Sequence, residues 1–178
     1  MVLAATQASI IEEGFGATTI DGIARRSGVA RTTVYRHWES LNELLIEAVG
    51  CLDAPVDVAE TGCVRDDCLA LLGQLAHALR TSNWGRILPA MIEAGSRDRD
   101  VHRHQAQLVR RRRAPLHRVL ERARGSGELA GDVAVALLAE QLAGPVFYRH
   151  LISHEAIDSA YLEALVDAVL GPHVKRRR

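Results

Sequence analysis

Small and apolar residues between positions 19 and 38 recur at a spacing that favours two short helices crossing at a tight turn. The three positions that carry this pattern are Ala24, Gly28 and Val34. The first must be small for a close crossing, glycine accepts the positive φ of the turn at least cost, and the third must be apolar to fix the second helix on the first. The same core takes in Ile20, Ile23 and Val29. The pattern predicts a helix-turn-helix.

A helix-turn-helix places its second helix in the major groove of DNA, and the local charge agrees with that role. Residues 25–38 include no acid, and their cationic or protonatable side chains are Arg25, Arg26, Arg31, Arg36 and His37. The chain as a whole has a formal net charge of zero. A local basic face can still bind phosphate, but few phosphates are neutralised and non-specific affinity is weak. This distribution favours a sequence-specific reader over a protein that coats DNA.

Composition restricts the class of protein further. The 178 residues can form one domain or a small domain joined to a larger one, and 48% apolar with 25% charged residues is typical of a globular protein. No apolar run approaches the roughly 18 residues that span a bilayer, and no secretory signal pattern is present. Cys51, Cys63 and Cys68 lack metal-ligand spacing. We therefore expect a cytoplasmic protein with reduced cysteines and no cofactor or metal.

Helical periodicity extends over the whole chain and predicts an all-α fold. The predicted helices span 2–14, 20–26, 30–37, 41–50, 68–79, 84–95, 99–124, 133–153 and 156–170. Apolar spacing gives the first helix a buried face of Ala4, Ala8, Ile11 and Phe15. Thr18 or Thr19 caps the second helix. Pro89 is expected to kink or break its helix, and Asp132 to cap the helix that follows it.

A stretch with no clear period, residues 53–62, contains proline and glycine and predicts a domain boundary. We therefore divide the chain into a three-helix N-terminal domain, 1–50, and a larger helical C-terminal domain, 51–174. The last four residues, 175–178, form a basic tail. The two final helices carry broad apolar faces with small residues and predict a homodimer interface. The alternative is that these faces pack only within their own domain.

The helix-turn-helix and its flanks resemble the TetR (tetracycline-repressor) family of bacterial regulators over about residues 3–49. The matching pairs are Gly14-Phe15, Thr18-Thr19, Ile23-Ala24, Gly28-Val29, Val34-Tyr35 and His37-Trp38. Weaker matches in the second half are Arg111-Arg112, Gly127-Glu128-Leu129, Gly144-Pro145 and Tyr148-Arg149. The resemblance implies an Ω-shaped all-α homodimer whose heads bind adjacent major grooves of an operator. It also implies a small-molecule pocket in the C-terminal domain, whose occupation releases the DNA, and a repressor function.

The resemblance implies DNA-binding roles for the start of the recognition helix and its surroundings. Arg31, Thr32 and Thr33 would face base edges, and the chemistry of arginine with guanine and of a threonine methyl with thymine agrees. Phosphate contacts would come from Thr19, Tyr35, Arg36 and His37, with the helix dipole assisting at Thr19. The alternatives are a packing role for Tyr35 and a plain surface imidazole for His37.

Three departures from the family pattern predict modest DNA affinity. Ala30 stands where the family usually has a capping Ser or Thr, so a helix cap and a phosphate contact are both lost. Leu41 stands where a lysine is common. The sequence also starts at the first helix, so either the basic arm that usually precedes it is absent or this start is internal to a longer chain. These departures motivate an alternative function, a helical ligand-binding or scaffold dimer that has lost DNA binding. An activator or a nucleoid-type protein is a third possibility.

Polar or aromatic residues within otherwise apolar helices are the candidates for an effector pocket. They are His77, Trp84, Glu93, Gln141, Phe147 and Tyr148, with Leu88 and Met91 as apolar wall. Each could equally be ordinary core or interface. A largely apolar pocket would suit an apolar or aromatic effector.

Two other clusters do not predict function. Arg110 to Arg113 spread around a helix and favour a solvated or intersubunit face. His102 and His104 stand at i, i+2 and therefore on different helix faces, which argues against a metal site. No constellation of nucleophile and base is recognisable, so we do not expect an enzyme.

Overall fold

The computed structural model describes residues 1–51 and 61–174, and the all-α prediction is confirmed. The helices are α1 Val2–Glu13, α2 Ile20–Ser27, α3 Arg31–His37, α4 Leu41–Gly50, α5 Val64–Thr81, α6 Asn83–Gly95, α7 Arg99–Gly125, α8 Val135–Tyr148 and α9 Ser159–Leu170, with a π-helix at Arg149–Ser153. Within these described residues β-structure is limited to an isolated antiparallel bridge between Leu129 and Val174. The basic tail 175–178 and most of the predicted boundary segment 53–62 lie outside the described residues.

Several helix ends follow from local chemistry as predicted, and others do not. Thr19 is confirmed as the cap of α2. Asp132 is not the cap of α8, which begins after Ala134 and has no side-chain cap. Pro89 does not break α6, which continues through it from Asn83 to Gly95. The helix predicted at 133–153 ends at Tyr148, and the chain continues as the π-helix.

The sequence predicts the wrong buried face for α1. The predicted face is Ala4, Ala8, Ile11 and Phe15, of which only Phe15 is buried. The structure instead buries Ala5, Thr6, Gln7, Ser9 and Ile10. Two of the polar residues are accommodated by hydrogen bonds. The Thr6 hydroxyl donates to the carbonyl of Val2 at 2.9 Å. The Gln7 amide donates to the carbonyl of Ala48 on α4 at 2.8 Å.

The described residues group into two compact units, and the first comprises 1–51 and 81–110. Its helix-turn-helix core consists of Ala5, Ile20, Ile23, Val34 and Leu44. The unit also includes α6, since the side chain of Asn83 donates to Gln7 at 3.2 Å. This grouping by contact differs from the division predicted at residue 50, which stays a prediction about the domains.

The second unit comprises the described residues 61–80 and 111–174. Its core contains the fully buried carboxylate of Asp67 on α5, which accepts at 2.5 Å from Arg122 of α7, a side chain that is 29% exposed. Burial raises the pKa of the neighbouring Cys68 thiol to about 12. This thiol is therefore an unreactive core group. None of the helices described is long and apolar enough to cross a membrane.

Candidate DNA-binding site

The turn between α2 and α3 has the geometry that the spacing of Ala24, Gly28 and Val34 predicts. Gly28 ends α2 with φ 69° and ψ 13°, the left-handed conformation that glycine adopts most readily. The Ser27 hydroxyl donates to the carbonyl of Ala24 and accepts from the N–H of Val29, both at 3.3 Å. These bonds and the glycine set the direction in which α3 leaves the turn.

Two side chains hold α3 against the rest of the N-terminal helices α1–α4, which we call the head. Val34 is fully buried, and Trp38 packs against the same core cluster. The indole N–H of Trp38 donates to a carboxylate oxygen of Glu47 on α4 at 2.7 Å. A helix of seven residues has little stability of its own, so α3 depends on these tertiary contacts.

Apart from Val34, the surface of α3 is polar and mostly exposed. It presents Arg31, Thr32, Tyr35, Arg36 and His37, with Thr33 half-buried beside them. Tyr35 is 48% exposed, which argues against the alternative of a core packing role. The His37 ring is tilted against Trp38 with 5.6 Å between ring centroids, so its orientation is restricted. The structure therefore brings six of the seven candidate DNA-binding residues onto one short helix.

The seventh candidate, Thr19, caps the first helix of the motif. Its hydroxyl oxygen accepts from the N–H of Gly22 at 3.1 Å, and its hydroxyl hydrogen stays available to another acceptor. A Cβ at Gly22 would lie 3.3 Å from the Thr19 hydroxyl oxygen, closer than most such contacts. Gly22 thus keeps this corner open, a role that its sequence position alone did not indicate.

Two arginines of the basic stretch pair with acidic side chains that lie outside it. Asp21 of α2 forms an ion pair with Arg31 at 2.9 Å, and both side chains are more than half exposed. Arg26 donates two hydrogen bonds to Glu12 of α1, at 3.0 and 2.5 Å. These bonds lower the pKa of Glu12. Arg26 therefore ties α2 to α1, and Arg31 is held beside α2 in the absence of DNA.

Two of the three departures from the family pattern, Ala30 and Leu41, have different structural meanings. Ala30 caps α3 without any side-chain hydrogen bond, so the missing cap is confirmed. Leu41 is half-buried and packs against the core cluster of the head. At this position the chain therefore has an apolar contact with its own core, and the side chain brings no cation to the surface.

The candidate effector residues fall in both units. Trp84, Leu88 and Met91 are buried on α6 in the first unit. In the second unit His77, Gln141 and Tyr148 are exposed and Phe147 is half-buried. Glu93 is exposed and pairs with Arg97 at 3.0 Å. Gln141 contributes to a groove of about 440 Å³ between α8 and α9, lined mainly by apolar and small residues.

Comparison with known proteins assigns both halves of the chain. Residues 2–48 match the family model of bacterial regulatory proteins of the tetR family. Residues 58–169 match the model of the tetracyclin repressor-like C-terminal domain. Among curated relatives, the DNA-binding transcriptional repressor TetR of Mycobacteroides abscessus is 29% identical over 174 residues, which cover 95% of this chain and 90% of that protein.

Solved structures agree with the family models. The TetR family transcription regulator SCO0332 is 37% identical, with a TM-score of 0.68 over 96% of this chain and 94% of that one. The flavonoid-responsive regulator FrrA is 20% identical and shares the fold, with a TM-score of 0.75 over 99% of this chain and 96% of that one. This protein belongs to the tetR family of bacterial regulatory proteins and is a DNA-binding transcriptional regulator, not an enzyme.

Proposed function

We propose that this regulator represses transcription as a homodimer that binds an operator and releases it when a small molecule binds. The observation that carries the proposal is the asymmetry of α3. Val34 is fully buried on one side, and the other side presents an arginine, two threonines and an exposed tyrosine. An amphipathic helix of this kind, on a turn set by Gly28, can enter a major groove with its polar side facing the bases.

Side-chain chemistry suggests which residues contact bases and which contact phosphates. Arg31, Thr32 and Thr33 read base edges, with Arg31 suited to a bidentate contact with guanine. Thr19, Tyr35, Arg36 and His37 contact phosphates and set the register of α3. The ion pair between Arg31 and Asp21 has to be exchanged for the base contact on binding. The exposure of both side chains keeps the cost of that exchange small.

Exposed apolar surface supports dimerisation through α8 and α9. Leu137 is 53% exposed and Tyr148 is 58% exposed, on a helix whose other face forms the core of the second unit. The apolar groove between α8 and α9 adds Pro145, Leu165 and Val169 to this surface. Apolar patches of this kind often mark protein interfaces. Two copies of the head would then fit the two half-sites of a palindromic operator.

The signal that we propose to release the DNA is a small molecule. The M. abscessus relative is named a repressor, and FrrA is described as flavonoid-responsive. These two descriptions support the proposal that this protein is a repressor and that a small molecule binds its C-terminal domain. We propose an apolar or aromatic effector. Its candidate contacts are Trp84, Leu88 and Met91 in the first unit or, as a separate set, His77, Gln141, Phe147 and Tyr148 in the second.

Alanine variants of the recognition helix test whether the head binds DNA. Each of Arg31→Ala and Tyr35→Ala is expected to weaken binding of the DNA that flanks its own gene by about ten- to a hundredfold in a gel-shift titration, the range for a lost base or phosphate contact. Arg97→Ala is the matched control. Arg97 is an exposed arginine outside α2 and α3, and it forms a surface ion pair with Glu93. Its affinity should stay within twofold of the wild type.

The same titration separates the alternative functions. The uncapped Ala30 and the apolar Leu41 favour a scaffold or ligand-binding dimer that has lost DNA recognition. Equal affinity of the wild type and the two recognition-helix variants would support that alternative and contradict ours. A nucleoid-type protein would bind any sequence, with an affinity that falls steeply as salt rises.

A further inference from the structure

A second candidate binding site in the second unit uses none of the residues named above for DNA or effector binding. A cleft of about 450 Å³ opens in the second unit between the end of α5, the π-helix Arg149–Ser153 and the segment 154–158. Its volume is within the range of small-molecule sites. Its lining residues are Ala76, Arg80, Arg149, His150, His154, Glu155, Ala156, Ile157 and Asp158. This cleft combines basic groups with a small apolar wall.

The carboxylates of the cleft are already engaged within the protein. Glu155 pairs with Arg149 at 3.1 Å. Asp158 accepts from the N–H of Tyr161 at 2.8 Å and so caps α9. Arg149 is fixed from two further sides, since it lies 3.5 Å over the ring of Tyr161 and donates to the carbonyl of Ala156. The acidic groups therefore stabilise the walls of the cleft.

Two basic side chains of the cleft differ from these carboxylates because they form no such bonds within the described residues. Across residues 1–51 and 61–174, neither Arg80 nor His154 has a hydrogen-bond or ion-pair partner. Both line the same cavity, Arg80 from α5 and His154 from the segment after the π-helix. A small anion in the cleft could therefore bind to them without breaking an existing ion pair.

The backbone around His154 is unusual. A π-helix is rare and is frequently found at functional sites. The residue that ends it, His154, has φ 54° and ψ 28°, and it is the one non-glycine residue with positive φ in the described part of the chain. Left-handed backbone is a common way to end a helix, and histidine adopts it more readily than most non-glycine residues do. Here it accompanies an imidazole that lines the cleft.

We propose that this cleft binds a small carboxylate with an apolar body. The carboxylate would lie against Arg80 and His154, with charge-assisted hydrogen bonds from the guanidinium. The body would pack on Ala76, Ala156 and Ile157. This binding does not depend on the regulatory function proposed above, because all the residues of the cleft lie outside the head and outside the candidate effector set.

Calorimetric titration of the full chain with sodium benzoate and with benzamide tests the charge preference. The two probes have nearly the same shape, and only benzoate carries a negative charge. We expect benzoate to bind at least tenfold more tightly than benzamide. Equal affinities, or no binding of benzoate at millimolar concentration, would overturn the proposal. Inorganic phosphate as tight as benzoate would also overturn it, because the apolar body would then contribute nothing.

Two variants locate the binding and two control variants account for lost charge. Arg80→Gln and His154→Asn are each expected to weaken benzoate binding at least fivefold; asparagine is chosen because it accepts positive φ. Arg110→Gln and His102→Asn remove the same groups from other exposed positions and should leave binding within twofold. Loss of binding in the control variants, or none in the cleft variants, would contradict the site. An unchanged thermal unfolding midpoint establishes that each variant is folded.

Discussion

Replacing Gly28 with valine is expected to abolish specific DNA binding and leave the dimer intact. Gly28 has φ 69°, a conformation that costs a β-branched residue roughly 2 kcal/mol. The strain can be relieved only if the turn changes, and the turn sets the direction of α3 relative to α2. A reoriented α3 no longer presents Arg31, Thr32 and Thr33 together. The measurements are operator affinity by fluorescence anisotropy and dimer mass by light scattering.

Gly28→Asn is the matched control for this prediction. A Cβ at position 28 would have open space around it, so the cost of a side chain there comes from the backbone. Asparagine tolerates positive φ far better than valine does. The asparagine variant should therefore keep operator affinity within a few fold of the wild type. Normal binding by the valine variant would show that the turn does not control the orientation of α3.

Loss of the buried ion pair in the second unit should have the largest effect on stability. Asp67 is fully buried, and it accepts from Arg122 at 2.5 Å and from the N–H and hydroxyl of Thr61 at 2.8 Å each. Arg122→Met leaves the carboxylate buried without its cation. Breaking a buried pair in this way costs about 3 kcal/mol. Urea unfolding at neutral pH measures the change in the free energy of unfolding.

An exposed ion pair provides the control. Arg65 donates to Asp167 at 2.6 and 2.9 Å, but both side chains are largely exposed. Arg65→Met is therefore expected to lower the free energy of unfolding much less than Arg122→Met does, because surface pairs contribute little. If both methionine variants lost the same stability, burial would not be the cause of the Arg122 effect.

The pH dependence of the Arg122 effect has a definite sign. Burial by itself raises the pKa of Asp67, but the hydrogen bonds from Arg122 and Thr61 outweigh burial and hold the pKa below its ordinary value of 3.8. In the wild type the stability due to ionised Asp67 is thus complete above pH 3.8 and lost as pH falls through the lower folded pKa. In Arg122→Met the carboxyl can be buried at less cost when protonated. The stability gap between wild type and variant should therefore narrow as pH falls from neutral towards the lowered folded pKa of Asp67 in the wild type.

The helix-turn-helix could be predicted from the sequence because local chemistry decides it. Gly28 is needed for the turn, Thr19 for the cap and Val34 for the core, and each requirement is met within twenty residues of chain. The structure places these three residues in the predicted roles. The helix-turn-helix can be predicted because the local conformational preferences of these residues agree with their tertiary contacts.

The face of α1 could not be predicted, because the buried side contains polar residues. Thr6 and Gln7 are buried since their hydrogen-bond partners are carbonyls, one of them on α4, forty-one residues further along the chain. Apolar periodicity records only the apolar part of a core. Long-range partners of this kind leave no periodic signal.

The acidic partners of the head were missed for a related reason. Asp21 reads in the sequence as a flanking acid, and only the fold brings it to 2.9 Å from Arg31. The π-helix and the positive φ of His154 likewise have no sequence signature that distinguishes them from a continued helix. Ion pairs across elements and local backbone distortions depend on tertiary packing.

The most direct test of the account is the preference of the protein for one DNA sequence over another. Anisotropy titrations at physiological salt should compare the operator, located by footprinting of the DNA flanking its gene, with a scrambled duplex of equal length and composition. The operator should bind at least a thousandfold more tightly, and Arg31→Ala should reduce this preference ten- to a hundredfold. Equal affinity for the two duplexes would contradict the central claim that α3 reads sequence.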